Sequence, residues 1–453
     1  MRPFSLLGVR RFWMGIFAVT SVAAIIGGAF LIFGRGDKPQ TPRAIGPFPQ
    51  EAYVWQRDWT PAVREAISSN SNPFSRLVVL AAQVSPADPH APIVRVPIDY
   101  ATLRESKVSI GLAIRIGPFA GPFATDDSTT RLLSNLAAAV LADARAAGLP
   151  ADELQIDFDA AESKLAGYRV WIEAIKKRVS PTPVVITALP AWLNRPQLRE
   201  LLAAADGWVL QVHSVERPAG PDSPMTLCDP ARVRKWVEQA ARLNAKPFRV
   251  ALPTYSCLVG FDSAGKYLGV SAEGPAPTWT TGAADAKVRL LRANPNELAG
   301  LVRDWQTDRP AALAGIIWYR LPTADDRMNW RMTTLRRVMA GQNVQPDLRV
   351  ELTRPEPGLI DVRLVNRGDA DAGLDVTVSV RWPPERGGQP IAADALEGFT
   401  IKGGKSGGAD HRIEFTWAGD GSGFLSPGDS RPVGWVRLVD DKEVTADVQP
   451  MDH

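Results

Sequence analysis

The chain has 453 residues, of which 45% are hydrophobic and 22% are charged. These values are typical of folded globular proteins and exclude a disordered chain, and the length predicts two folded units. The formal net charge is only +3 and the basic residues are scattered, which argues against a nucleic acid as partner.

The N-terminal region is predicted to anchor the chain in a membrane. Residues 12–33 form an uncharged, mostly apolar run, and at about 1.5 Å per residue a helix of this length crosses the hydrocarbon core. Arg2, Arg10 and Arg11 precede the run, so residues 1–11 are predicted to be cytoplasmic. The run is longer than the apolar part of a signal peptide. We therefore expect an uncleaved signal anchor, with a long signal peptide as the alternative.

This topology predicts a single-pass protein of the inner membrane. The bulk of the chain would lie in the periplasm or outside the cell. Residues 34–51 are rich in Pro and Gly and lack periodicity, which is typical of a linker.

Residues 52–342 alternate strand-like runs with amphipathic helical patterns. The eight predicted strands are Ala52–Trp59, Arg76–Val84, Val108–Gly117, Leu154–Asp159, Pro183–Pro190, Asp206–His213, Phe248–Tyr255 and Leu313–Leu321. Strand–helix alternation indicates parallel β/α units, and eight of them over about 290 residues predict a (β/α)8 TIM barrel. A doubly wound open sheet is the competing α/β fold, but no GxGxxG sequence follows the first strand. Residues 256–284 are predicted to form a long loop that covers the barrel mouth.

The C-terminal region has a different pattern. From residue 347 to 453, short runs alternate apolar and polar residues between Gly, Asp and Pro turns, with no helical periodicity. This pattern predicts a small antiparallel β-sandwich.

The sequence LQIDFDAAE at 154–162 is the strongest functional signal in the chain. Side chains alternate along a strand, so Gln155, Asp157 and Asp159 share one face at the end where TIM barrels carry their chemistry. Two carboxylates this close repel each other unless the site is wet, protonated on one side, or built to bind something. Asp157 and Asp159 are therefore the candidate catalytic residues. The structural alternatives are salt bridges, or a helix cap in the case of Asp159.

Polar and aromatic residues at other predicted strand ends are candidates for substrate contacts. They are Gln56, Asp58, Gln83, Arg115, Gln155, Gln211, His213, Glu216, Tyr255, Trp318 and Arg320. Planar polar groups bind hydroxyls and aromatic faces stack on sugar rings, so a polysaccharide or oligosaccharide is the predicted partner. Each residue also has a structural interpretation; a buried His213 could simply be hydrogen-bonded, and Trp318 could serve packing.

Cys228 and Cys257 are the two cysteines of the chain. In an oxidising compartment they could form a disulfide, and two separate buried thiols are the open alternative. Their spacing is not CxxC and the chain has four histidines, so neither a metal site nor a cofactor is expected.

Several segments of the predicted barrel resemble a bacterial family known only as domain of unknown function 3142. The segments are IDFDAAESKLAGYRVWI, ITALPAWL, DGWVLQVHSVE, RVALPTY and GIIWYRLP, and the resemblance spans residues 53–341. The family is counted among glycosidase-like TIM barrels, so the resemblance implies a fold more directly than an activity.

A weaker similarity connects the fourth strand to family 18 chitinases, whose motif DxxDxDxE ends in a general-acid glutamate. Asp157 and Asp159 match the DxD pair, but Ala161 stands in the place of the glutamate and Glu162 follows one position later. This departure leaves substrate-assisted catalysis in question.

Two functions follow as hypotheses. The first is a glycoside hydrolase that uses carboxylate acid/base chemistry at the barrel mouth. The second is a non-catalytic polysaccharide-binding or assembly protein that uses the same cleft. Polysaccharide deacetylation is disfavoured because the sequence has no HxxxH pattern for a metal.

Overall fold

The computed structural model describes residues 41–86, 93–214, 216–243, 246–272, 286–383, 390–402, 411–419 and 423–451. The predicted cytoplasmic segment 1–11, the predicted membrane segment 12–33 and residues 34–40 of the predicted linker lie outside this range. No helix among the described residues has the length and apolar character needed to cross a bilayer. The described residues from Arg43 onward belong to one compact unit.

Eight parallel strands form the centre of the molecule. They are β1 (Gln50–Val54), β2 (Arg76–Val84), β3 (Ser109–Ile116), β4 (Glu153–Phe158), β5 (Val184–Ala188), β6 (Gly207–Gln211), β7 (Phe248–Pro253) and β8 (Leu313–Tyr319). Each strand pairs with its neighbours in sequence, and β8 pairs with β1 to close the sheet. The predicted α/β barrel is therefore confirmed.

Eight helices of the described chain accompany these strands. They are α1 (Pro61–Asn70), α2 (Tyr100–Ser106), α3 (Ser128–Ala146), α4 (Leu165–Val179), α5 (Pro196–Ala204), α6 (Pro230–Arg242), α7 (Pro295–Thr307) and α8 (Met332–Met339). Proline at the first turn of α1, α5, α6 and α7 suits a helix start, where the missing N–H has no intrahelical partner. One of these helices follows each barrel strand before the next strand begins, as the alternation predicted.

Helix α4 shows how packing positions the end of β4. Its buried residues Leu165, Tyr168, Trp171, Ile172 and Ile175 recur at helical spacing and form one apolar face. The Tyr168 hydroxyl donates a 2.7 Å hydrogen bond to the Ile156 carbonyl, and the Trp171 ring lies 5.0 Å from that of Phe158. Because these contacts hold the outer face of β4 against the helix, the alternate residues of β4 must face the barrel interior.

The barrel interior has a charged floor near the amino ends of the strands. Arg249 contacts Glu51 and donates to both carboxylate oxygens of Glu153, at 2.8 and 3.1 Å. Arg76 reaches the same two glutamates at 3.2 and 3.1 Å. Gly111 leaves room for this cluster, since a Cβ there would lie 2.9 Å from Cγ of Glu153. No pattern in the sequence predicted this charged cluster.

Between β7 and α7 the chain forms a separate three-stranded antiparallel sheet. Its strands are Ser256–Phe261, Tyr267–Ser271 and Lys287–Arg292, with the first in the centre. The prediction of a plain loop over residues 256–284 is therefore wrong for 256–271, while 273–284 lies outside the described residues. Cys257, Val259 and Phe261 share the buried face of this sheet.

The C-terminal region contains the predicted antiparallel sheets. The strands are β9 (Leu348–Glu356), β10 (Leu359–Asn366), β11 (Val376–Trp382), β12 (Ala392–Ala395), β13 (Phe399–Lys402), β14 (His411–Trp417), β15 (Ser430–Arg437) and β16 (Thr445–Pro450). One four-stranded sheet has the order β9-β10-β15-β12 and the other the order β13-β14-β11-β16. Ile360 and Val436 of the first sheet share a hydrophobic cluster with Val378 and Phe415 of the second.

Candidate functional site

Asp157 lies at the carboxyl end of β4 and faces the barrel interior. Its side chain is only 8% exposed, and its Oδ1 accepts a 2.6 Å hydrogen bond from the Thr187 hydroxyl. Thr187 is on the adjacent strand β5, whose Val185 pairs with Gln155, so the threonine stands at the level of Asp157. The β4–β5 register therefore places a neutral donor against this carboxylate.

Asp159 lies one inward position further along and has a different environment. Its Oδ2 is 3.6 Å from the Arg115 guanidinium, with the two side chains 46% and 33% exposed. Arg115 of β3 pairs in register with Asp157, which brings the three residues together. The structure therefore brings Asp157, Asp159 and Arg115 together. A capping role for Asp159 is not observed, because Ala161 precedes the next helical turn.

The position that holds the general acid in the chitinase motif has no carboxyl group here. Ala161 is exposed at the start of the turn Glu162–Lys164. Glu162 forms an ion pair with Arg195, which commits its carboxylate to the region before α5.

An aromatic cluster surrounds Tyr319 at the mouth. The Tyr319 ring lies 5.2 Å from the His213 ring in a stacked arrangement, and 5.5 Å from Tyr255. It also lies 5.7 Å from Tyr53 and 5.4 Å from Trp55. Tyr319 is half-buried, whereas the other four are buried. Tyr255 and His213 were predicted, but Tyr53 and Trp55 were not.

His213 is a neutral member of this cluster. Its Nδ1 lies 3.2 Å from the Tyr255 hydroxyl, and burial lowers its pKa to about 3. The Nε2 atom is buried and has no hydrogen-bond partner among the residues the structure describes. The imidazole can therefore offer one further hydrogen bond to a group that enters the mouth.

Half-buried polar side chains form the rim of the mouth. Gln83 accepts hydrogen bonds from Nε and Nη2 of Arg57 at 3.3 and 2.9 Å. Gln56 donates to the Leu321 carbonyl at 3.1 Å, and Gln211 is half-buried at the end of β6. Asp58 follows in the β1–α1 loop and is exposed. Arg57 was not predicted, since Gln56 and Asp58 on either side of it were the residues predicted from this stretch.

Four predicted substrate contacts have other roles. Gln155 is fully buried between Tyr53 and Glu153, at 2.8 and 2.6 Å, and so lies beneath the mouth. Trp318 is also fully buried, and its Nε1 donates to Gln50. Because Tyr319 faces the mouth cluster, strand alternation sends Trp318 to the opposite face, and the prediction of a mouth-lining Trp318 is wrong.

The other two residues of the four belong to ion pairs. Arg320 is buried and donates to Asp326 at 2.9 and 2.6 Å. Glu216 is exposed and pairs with Arg232 of α6, which lowers the pKa of that carboxyl. Glu216 and Arg232 line a small cavity of about 130 Å³ beside α6, and no residue of the aromatic cluster lines it.

Cys228 and Cys257 are free thiols in the structure, which corrects the disulfide considered above. They are 7% and 0% exposed, and burial raises the pKa of each thiol to about 12. Among the described residues, no group of three or more His, Cys, Asp or Glu side chains is placed to hold a metal ion.

Comparisons with known proteins agree with the family resemblance. Residues 114–324 match the model of the family described as Domain of unknown function (DUF3142). No curated protein sequence matches the chain.

Three solved structures are similar to the chain at low sequence identity. The spore cortex-lytic enzyme SleL of Bacillus cereus is 12% identical, over 66% of this chain and 75% of that chain, with a TM-score of 0.46. SleL of Bacillus megaterium QM B1551 is 14% identical over the same shares, with a TM-score of 0.45. A chitinase from Bacteroides thetaiotaomicron is 14% identical, over 66% of this chain and 97% of that chain, with a TM-score of 0.44. Similarity at this level does not indicate the activity of this chain.

Proposed function

We propose that the barrel binds a polysaccharide or oligosaccharide at the carboxyl ends of its strands and does not hydrolyse it. The environment of Asp159 is the observation that carries this proposal. Glycoside cleavage in most families uses a carboxylic acid that protonates the leaving oxygen and a second carboxylate. Asp159 instead contacts the Arg115 guanidinium, and Ala161 occupies the position at which the chitinase motif has its acid.

The rim supports saccharide binding. Arg57, Gln83 and Gln211 are half-buried planar groups that can donate or accept hydrogen bonds with sugar hydroxyls. The half-buried ring of Tyr319 can contact the apolar face of a sugar ring. Beneath the rim, the buried Nε2 of His213 has unused hydrogen-bonding capacity within the described part of the chain.

Hydrolysis is the second candidate function, and a specific observation favours it. Asp157 and Asp159 occupy successive inward positions at the tip of β4, and Asp157 is almost buried. Such a difference in environment is how glycosidases separate an acid from a base or nucleophile. In this mechanism Asp157, held by Thr187, would be the proton donor, and Asp159 would need release from Arg115.

One experiment separates the two functions. The full chain in mild detergent is titrated with a panel of bacterial oligosaccharides, and reducing ends are assayed in parallel. We expect binding without product, and a several-fold weaker affinity in Tyr319→Ala because the stacking face is lost. Tyr100→Ala is the matched control, since Tyr100 is half-buried at the start of α2, outside the cluster.

Two results would contradict binding without hydrolysis. Reducing ends released by the parent but not by Asp157→Asn would establish the hydrolase. No binding to any glycan, with the chain shown to be folded, would remove both functions.

We also propose that residues 12–33 anchor the chain in the inner membrane with its bulk outside the cytoplasm. The apolar run and the preceding arginines support this. The C-terminal sheets are proposed, as a separate point, to form a sandwich that serves as a spacer or binding module.

Carbonate extraction and protease treatment of spheroplasts test the proposed membrane topology. Release of the chain by carbonate, or its protection from external protease, would argue against it.

A further inference from the structure

A groove of about 860 Å³ lies between the loop after β8 and the C-terminal sheets. Met328 and Arg331 of this loop line the groove, while the same loop contacts the barrel mouth. Its Asp326 pairs with Arg320, and Asn329 forms a backbone bridge with Tyr255. The segment 326–331 therefore contacts both the groove and the barrel mouth.

The groove presents three guanidinium groups in different states. Arg331 pairs with Asp429 at 2.7 Å and donates to the Ala324 carbonyl at 2.7 Å, so its charge is offset. Arg431 donates to the backbone carbonyl of Glu397 at 3.1 Å and lies 5.3 Å from the Trp417 ring. Neither contact of Arg431 neutralises a charge.

Arg327 is the most available of the three. It is exposed, and no carboxylate contacts it among the residues the structure describes. The remaining acid of the lining is Glu397, which is exposed. Because Asp429 neutralises Arg331, the charges that remain on the lining are those of Arg327, Arg431 and Glu397. The groove therefore carries a net positive charge. Guanidinium groups bind carboxylates and phosphates through paired hydrogen bonds.

We propose that this groove is a second saccharide subsite, which binds the anionic groups of an acidic polysaccharide whose neighbouring residues occupy the mouth. The assignment rests on the proposed function, because it treats one glycan chain as the occupant of both places. Arg327 and Arg431 contact the carboxylate or phosphate groups, and Phe424 on the same lining, under the Arg292 guanidinium at 3.8 Å, supplies an apolar wall. The ligand is then a uronic-acid-containing or phosphate-containing glycan rather than a neutral one.

The test measures binding of three probes to the full chain in mild detergent. The probes are oligogalacturonate hexamers, poly(glycerol phosphate) and neutral cellohexaose, and the first two distinguish carboxylate from phosphate. We expect at least one anionic probe to bind more tightly than the neutral one, with an affinity that falls as salt is raised. Arg327→Glu should weaken that affinity about tenfold, because one charge-assisted contact becomes a repulsion.

The controls keep the groove and the mouth apart. Arg327 is exposed, so its replacement leaves the fold intact, and Arg327→Lys should retain most of the affinity through its charge. Arg242→Gln, an exposed arginine at the end of α6, should have no effect. Tyr319→Ala tests the mouth.

Each outcome decides one of the two proposals. If the neutral probe binds as well as the anionic ones and Arg327→Glu has no effect, the groove assignment is overturned while binding at the mouth stands. If Arg327→Glu weakens anionic binding but Tyr319→Ala does not, the groove stands and the proposed function of the mouth fails. If none of the probes binds, the groove assignment is overturned, and the wider oligosaccharide panel decides the mouth.

Discussion

The Tyr53 hydroxyl donates a 2.8 Å hydrogen bond to Oε1 of Gln155, and this contact joins the floor of the barrel to its mouth. Nε2 of Gln155 donates to Glu153 of the charged floor at 2.6 Å, while the Tyr53 ring contacts Tyr319 above. The Tyr53 and Gln155 side chains are buried, so water cannot replace either partner. The geometry of the mouth therefore depends on the floor beneath it.

The buried Arg249 is predicted to be essential for stability. Arg249→Met leaves the partly exposed Arg76 as the charged partner of the buried carboxylates of Glu51 and Glu153, and this loss of the buried pair should lower the free energy of unfolding by about 3–5 kcal/mol. Urea unfolding followed by fluorescence measures the change. Arg95→Met is the control, since its pair with Asp143 is 41% and 55% exposed and should contribute less than about 1 kcal/mol. Equal losses in both variants would contradict a structural role for the floor.

Asp157 of β4 and Asp159, which follows the strand, are predicted to differ in their contribution to stability. Thr187→Val removes the donor to the almost buried Asp157 and should cost about 1–3 kcal/mol, because the carboxylate oxygen loses a partner. Asp159→Asn breaks a pair that is a third to a half exposed and should cost less than about 1 kcal/mol. Thr187→Ser retains the hydroxyl and should restore most of the loss. A Thr187→Val variant as stable as the parent would show that the contact is not formed in solution.

His213 is predicted to make stability depend on pH. Burial lowers its pKa from 6.5 to about 3, so below pH 6.5 the unfolded chain takes up a proton that the folded chain does not. This contribution is fully present above pH 6.5 and is lost as the pH falls toward 3, with a slope of at most about 1.4 kcal/mol per pH unit. The free energy of unfolding of the parent and of His213→Gln is measured at about eight pH values between about 4 and 8, and the difference between the two curves gives the contribution of His213. An unchanged slope in His213→Gln would exclude His213 as its source.

The thiols are predicted to be unreactive until the chain unfolds. Cys228 and Cys257 are buried, and a pKa of about 12 keeps each thiol protonated near neutral pH. A disulfide-exchange reagent should therefore label neither residue in the native protein and both in denaturant without reductant. Cys228→Ser should reduce the label to one. Absence of labelling in denaturant would show that the two cysteines form a disulfide after all.

The sequence predicted the barrel because local patterns encode it. Every predicted strand of the barrel overlaps an observed one, although Ala52–Trp59 extends past the true end of β1 at Val54 and Leu313–Leu321 past the end of β8 at Tyr319. Boundaries shift because the last residues of a strand turn into loops that tertiary contacts shape. The segment 256–271 was misread for a related reason, since its strands pair only with each other and with the distant Lys287–Arg292.

The candidate site was predicted less completely than the fold. Asp157, Asp159, Arg115 and Gln83 were placed at the mouth from strand alternation alone, and the structure brings them there. Trp318 and Tyr319 end the same apolar run, and only the packing and register of β8 against β7 show that Tyr319 faces inward and Trp318 does not. Glu216 was included by proximity in sequence, whereas its partner Arg232 turns it toward α6.

The sequence by itself determined the α/β alternation, the antiparallel C-terminal strands and the two inward aspartates, because periodicity and spacing are properties of neighbouring residues. Only the tertiary structure decided which charged side chains form ion pairs with each other. Arg115 takes Asp159, Arg249 takes Glu51 and Glu153, and the groove beside the mouth keeps Arg327 exposed. Charge pairing depends on distances of a few ångströms between residues far apart in the chain, and these distances exist only once the barrel has closed.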